Sequence, residues 1–299
     1  MLNILKSTPV SVPLLTGLIY LLLTLCGLYI DADTVGTDSV FLVIIIVQIV
    51  VFAIPSFLYY GIKGGKLNYP VVSGKLSGGR ILFAVGAMGV MFFGCLLIKL
   101  LFYSGGVQVG NDKGYLDALY KAEDGAVGLF LAYALVPALC EEFFFRGIVL
   151  SEYKKYGSFN AVLISALYFT MVHFTADGFL VYFFAGIVLG AATAVCRSIY
   201  PAIAMHTLFN AYYLYSSPSF ISTMVFNTGT VFLGFVLLVA LLISLVFAFS
   251  RLELLYRAEA KLGAELSLPE KSINHLYLYV TPALIVPIAV FIIINALMK

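Results

Sequence analysis

The sequence predicts an all-α, polytopic bundle of transmembrane helices, about eight to nine spans in one membrane-embedded domain covering 1–299. Three observations predict it. The chain is 62% hydrophobic with a mean hydropathy of +1.06, and only 11% of it is charged, a balance foreign to soluble domains. Apolar runs of about 17 to 25 residues recur along almost the whole length, each long enough for a bilayer core of about 30 Å. No stretch between them is long and polar enough to fold as a separate soluble domain.

The runs fall near 9–30, 40–62, 81–103, 125–150, 158–175, 178–196, 200–216, 226–250 and 277–297. The first follows Lys6 and outlasts the core of a signal peptide, and Leu25 before Cys26 is too bulky for a lipoprotein cleavage site, so an uncleaved helix is expected. The second holds Gln48, expected to bond a neighbouring helix. The third holds Lys99, whose stem can snorkel toward an interface. In the sixth, Gly186 and Gly190 have the spacing of close helix approach in lipid. Tyr212, Tyr213 and Tyr215 end the seventh, where an apolar ring and a polar hydroxyl suit the bilayer interface. Arg251 to Leu268 mixes charges with leucines and reads as an amphipathic extension of the eighth. His275, at the start of the last, reads as an ordinary interfacial residue.

Loop charges set an orientation. Asp31, Asp33 and Asp38 fill the first loop and Lys63, Lys66, Lys75 and Arg80 the second. Asp112, Asp117, Glu123 and Asp124 lie beside Lys113 and Lys121 in the third, and Arg251, Arg257, Lys261 and Lys271 precede the last span. The positive-inside rule then puts the amino terminus, the second loop and 251–276 on the cytoplasmic side. The basic residues are spread over short loops, so no nucleic-acid partner is implied. Four dispersed cysteines, Cys26, Cys95, Cys140 and Cys196, lack metal-site or disulfide spacing and read as buried thiols.

Chemistry concentrates in 125–216, the motif-bearing core. Glu141, Glu142 and Arg146 lie near the end of an apolar run, where an ionisable side chain costs roughly 2.5–3.5 kcal/mol on insertion scales. Glu142 and Arg146 are one helical turn apart and can pair, while Glu141 points about 100° away and can face a polar cavity. Spacing alone also allows the reverse assignment. His206 and Asn210 share one face of the seventh span, and His173 closes the fifth.

A carboxylate and an imidazole around one water form a general-base pair, and a second imidazole with a carboxamide can stabilise an oxyanion. Glu141, His173 and His206 are equally the ligand set of a zinc with an open position, and the sequence does not choose between the two. Straight helices place the groups at unequal depths. Glu141 and His206 would lie about 14 and 9 Å from the inner boundary and His173 about 22 Å, unless the fifth helix tilts strongly or starts below the surface.

The segments EEFFFR, FTMVH and HTLFN resemble, in order, the EExxxR, FxxxH and HxxxN motifs of the CAAX-endopeptidase-like family, the CPBP or Abi intramembrane proteases. The resemblance implies an endopeptidase acting on a membrane-associated peptide or protein. Glu141 and His173 would activate water, His206 and Asn210 form the oxyanion site, and Glu142 and Arg146 support the arrangement. The family is described both as metalloproteases and as glutamate-dependent proteases, which leaves zinc open as a cofactor. The rival readings are a proton-coupled transporter and a non-catalytic immunity or scaffold protein. The transporter should show internal repeats, yet EExxxR occurs once.

Overall fold

The computed structural model describes residues 7–29, 40–67, 76–106, 126–216, 220–261, 278–279 and 281–297. All regular structure among them is helical. Lys6, Asp31, Asp33, Asp38, Lys75, Asp112, Lys113, Asp117, Lys121, Glu123, Asp124, Lys271 and His275 lie outside the described residues.

The helices are α1 (Thr8–Tyr29), α2 (Phe41–Ile62), α3 (Gly78–Ser104), α4 (Ala126–Tyr156), α5 (Ser158–Met171), α6 (Phe179–Cys196), α7 (Tyr200–Tyr215), α8 (Phe220–Thr228), α9 (Thr230–Lys261) and α10 (Ile285–Leu297). Six of them, α1, α2, α3, α4, α6 and α9, are long and apolar enough to cross a bilayer. This is an integral, multi-pass membrane protein. The expected eighth span differs at its start: Gly229, with φ +79°, breaks the chain into α8 and α9. Beyond Phe249 the helix continues to Lys261, as an extension of that span should.

Prolines explain two local features. In α2 a wide π-helical turn, Ile49–Ala53, immediately precedes Pro55, and in α4 the turn Leu131–Leu135 immediately precedes Pro137. A proline within a helix lacks the N–H and crowds the carbonyl four residues back, and a widened turn relieves both faults without ending the helix. The second wide stretch of α4, Phe143–Leu150, contains no proline. Side chains cover two of its carbonyls: Ser165 Oγ donates to Phe145 O at 2.8 Å and Ser151 Oγ to Arg146 O at 3.3 Å.

The interior forms where α4, α5, α6 and α7 meet. Gly186 of α6 faces Ala166 of α5 so closely that a Cβ would lie 3.0 Å from the Ala166 Cα, and one on Gly190 would lie 3.2 Å from Val162. The small-residue spacing thus does what its pattern predicts. The bond expected from Gln48 to another helix is not seen among the described residues, where its buried Oε1 has no partner, and nothing in the structure explains it. The four cysteines are free thiols.

Candidate active site

Glu142 is the centre of the polar cluster. Its Oε1 accepts from Arg146 Nη1 at 3.0 Å, the pair expected from the four-residue spacing, and Arg146 Nη2 donates on to Gly186 O at 3.1 Å. Both side chains are fully buried. The Arg146 guanidinium lies over the Phe169 ring at 4.6 Å, which shields its face where water cannot. The absence of a Cβ on Gly186 lets α6 come close enough to lend its carbonyl.

The sequence did not announce the next bond. His206 Nδ1 lies 2.8 Å from the same Glu142 Oε1, so α4 and α7 are tied through one carboxylate oxygen. With Nδ1 so engaged, Nε2 is the nitrogen left to the His206 ring for other contacts. The spacing of the EExxxR and HxxxN segments carried no signal for it, because the two lie 64 residues apart.

Glu141 is buried on a different face of α4, and its Oε2 has no hydrogen-bond partner among the described residues. It lies within electrostatic reach of His206, Glu142 and Arg146. His173 falls just past the end of α5, in the turn before α6. Its ring packs 4.9 Å from Phe169 and 3.8 Å from Tyr182, centroid to centroid. Phe169 in turn lies 5.4 Å from His206, so the two imidazoles flank one phenyl ring. Asn210 sits half-buried one turn beyond His206 on α7.

The unequal depths have a physical resolution. α4 runs for 31 residues, about 45 Å at ~1.5 Å each, which exceeds a ~30 Å hydrocarbon core. It runs on to Tyr156, past the boundary expected at residue 150, and the 14 residues of α5 that follow are too few for a full span. His173 is thereby brought beside Phe169 and His206. The turn that carries it is held from two sides. Phe174 adopts φ +48°, Tyr20 of α1 meets its ring edge-on at 5.6 Å, and Asn295 Oδ1 of α10 accepts from Ala176 N at 3.0 Å.

The zinc expectation fits less well. No three His, Cys, Asp or Glu side chains among the described residues are placed to hold a metal ion together. The His173 ring lies against Tyr182, and Glu141, His173 and His206 do not converge into a three-ligand site as arranged, although the Glu142 bond leaves His206 Nε2 open.

Residues 123–212 match the family described as type II CAAX prenyl endopeptidase Rce1-like. Through this stretch the chain is similar to the family its EEFFFR, FTMVH and HTLFN segments resemble. The match covers the whole of α4, α5 and α6 and most of α7, and every motif residue discussed above. No curated protein and no solved structure matches the chain. The match supports, at the level of the family, a CAAX-type intramembrane protease acting on membrane-embedded polypeptides.

Proposed function

We propose that the chain hydrolyses a peptide bond in a membrane-associated polypeptide by activating water, with Glu141 and His173 as the activating pair and His206 and Asn210 stabilising the oxyanion. The division of labour between two adjacent carboxylates carries this reading. Both carboxylates keep a buried Oε2 with no partner among the described residues, but Glu142 is held through its Oε1 by Arg146 and His206, whereas no hydrogen bond among the described residues holds Glu141. A buried carboxylate oxygen without a partner is costly unless water or substrate meets it.

In the proposed cycle, Glu141 accepts a proton from a water that His173 helps to orient, and the oxygen attacks the amide carbon. Charge develops on the carbonyl oxygen. His206, through the Nε2 that Glu142 leaves it, and the Asn210 carboxamide donate hydrogen bonds there. Glu141 then returns the proton to the departing amine. Glu142 and Arg146 touch no reacting atom and act by fixing the His206 ring. We further read the chain as one membrane-embedded domain with its amino terminus cytoplasmic, on the Lys63, Lys66 and Arg80 side.

Cleavage of a fluorogenic membrane peptide by the purified protein in liposomes tests the mechanism. Glu141→Gln, His173→Ala and His206→Ala should each lower turnover by at least about a hundredfold, the lower range for general acid–base groups. Undiminished cleavage in all three would remove it.

A further inference from the structure

α5 ends in a strained turn, and His173 lies in it. Val172 N donates to Tyr168 O at 3.2 Å in the last ordinary helical bond. After it His173 N donates to Thr170 O at 3.3 Å and Phe174 N to Met171 O at 3.2 Å, the tighter spacing of a 3₁₀ turn. Phe174 then closes the helix at φ +48°. Many helices end on a left-handed residue, but glycine usually supplies it, because a Cβ crowds the neighbouring carbonyl there. A phenylalanine in that conformation has to be held.

Tyr20 of α1 holds it at two points that bracket the imidazole. Its hydroxyl donates to Tyr168 O, the carbonyl that also accepts from Val172 N. Its ring meets the Phe174 ring edge-on, with centroids 5.6 Å apart. The Tyr20 side chain is fully buried, and α1 is itself braced by α10: a Cβ on Gly17 would lie 2.8 Å from Val286 Cγ1. The same α10 sends Asn295 Oδ1 to Ala176 N, just past Phe174. Both helices lie outside the matched residues 123–212. Without the two Tyr20 contacts the left-handed residue gains by returning to negative φ, which turns the chain at His173 and moves its ring from between Phe169 and Tyr182.

We propose that Tyr20 is a positioning residue for His173, keeping the end of α5 in the strained shape that presents the imidazole beside Phe169 and His206. Its effect on turnover rests on the protease reading. Its effect on the His173 ring does not.

The test uses the full chain, with the fluorogenic membrane peptide in liposomes and with nitrogen NMR of isotope-labelled histidine in detergent. The chain has three histidines, His173, His206 and His275, so each ring signal can be assigned by substituting one residue. Tyr20→Leu removes both contacts and Tyr20→Phe only the hydroxyl. Per folded molecule, Tyr20→Leu should lower kcat about 10²-fold, the cost of a displacement of about 1 Å, and Tyr20→Phe about tenfold, with KM within about twofold in each. Tyr20→Leu should also move the His173 signals and leave those of His275 in place. Adding Phe174→Gly to Tyr20→Leu should recover about tenfold of kcat or more, since glycine holds a positive φ unaided. A side chain that only stabilises the fold gives another pattern: fewer folded molecules, an unaltered kcat in those that remain, and further loss on adding Phe174→Gly. That pattern, a kcat loss that Phe174→Gly does not relieve, or His173 signals that stay at the parent positions would each overturn the proposal. If Tyr20→Leu does not fold, Tyr20→Phe decides by kcat and the His173 signals. No cleavage by the unsubstituted chain, with His173 signals that move on Tyr20→Leu and return with Phe174→Gly, would sink the protease reading and leave the positioning role standing.

Discussion

α4 and α9 are both long apolar helices, and they are held in the molecule by opposite means. Half of the most apolar stretch of α4 is buried inside the protein, against 11% for α9. α4 is anchored through side-chain bonds: Glu142 to Arg146 and His206, Arg146 to Gly186 O, and Glu152 to Thr8 and Lys63. α9 carries no acid or base between Thr230 and Ser250, and most of its valines and phenylalanines face outward, while Leu237 is buried and Leu233, Leu241 and Leu245 pack against the core. It approaches α3 where α3 is smallest. A Cβ on Gly86 would stand 3.0 Å from the Ala248 Cα, and one on Gly89 would stand 2.5 Å from Ser244 Oγ. In lipid an apolar side chain gains little by leaving hydrocarbon for protein, so α9 packs through close backbone contact and a narrow leucine seam while polar groups draw α4 inward.

Substitutions can break or sharpen this contrast. The largest effect on turnover belongs to Glu141→Gln, a loss of about 10²–10⁴-fold in kcat/KM measured with the liposome peptide assay, with the thermal transition in detergent little changed because Oε2 binds nothing. Removing the partner instead, as in Arg146→Met, should cost about 3–5 kcal/mol of stability by leaving Glu142 buried and uncompensated. Thermal unfolding in detergent measures it, and Glu142→Gln with Arg146→Met should recover part of the loss. If Arg146→Met unfolds like the parent, side-chain bonds do not anchor α4.

Smaller effects should follow from the glycines. Gly186→Val forces a branched side chain against the Ala166 backbone and should cost about 1–3 kcal/mol, with activity falling because the Arg146 carbonyl partner moves. Gly86→Ala, at the α3–α9 contact, sets a Cβ 3.0 Å from the Ala248 backbone and should cost about 1–3 kcal/mol, yet leave the turnover per folded molecule at the parent value. A larger loss of activity from Gly86→Ala than from Gly186→Val would show that α9 does more than pack.

Hydropathy revealed the helices because the solvent dictates them: a backbone in hydrocarbon must satisfy its own hydrogen bonds, so each apolar run has one solution. The Glu142–Arg146 pair was legible for a similar local reason, since four residues set one face. What the chain's order hid was long-range. Nothing near His206 marks Glu142 as its partner, and the placement of His173 depends on how far α4 extends past the bilayer edge. The break at Gly229 and the inward turn of Lys99, whose Nζ lies over the Tyr213 ring instead of snorkelling outward, likewise follow from packing between helices, which hydropathy does not encode.

Two bonds from α1 reach the family-matched region from outside it: Tyr20 Oη donates to Tyr168 O, and Thr8 Oγ1 to Glu152 at 2.8 Å. Excising 123–212 as a minimal cassette would strip those donors from two buried acceptors, and would take the Lys63 bond from Glu152 as well. The catalytic helices are therefore not a transplantable part, and grafting them into another scaffold would require bringing the first helix along.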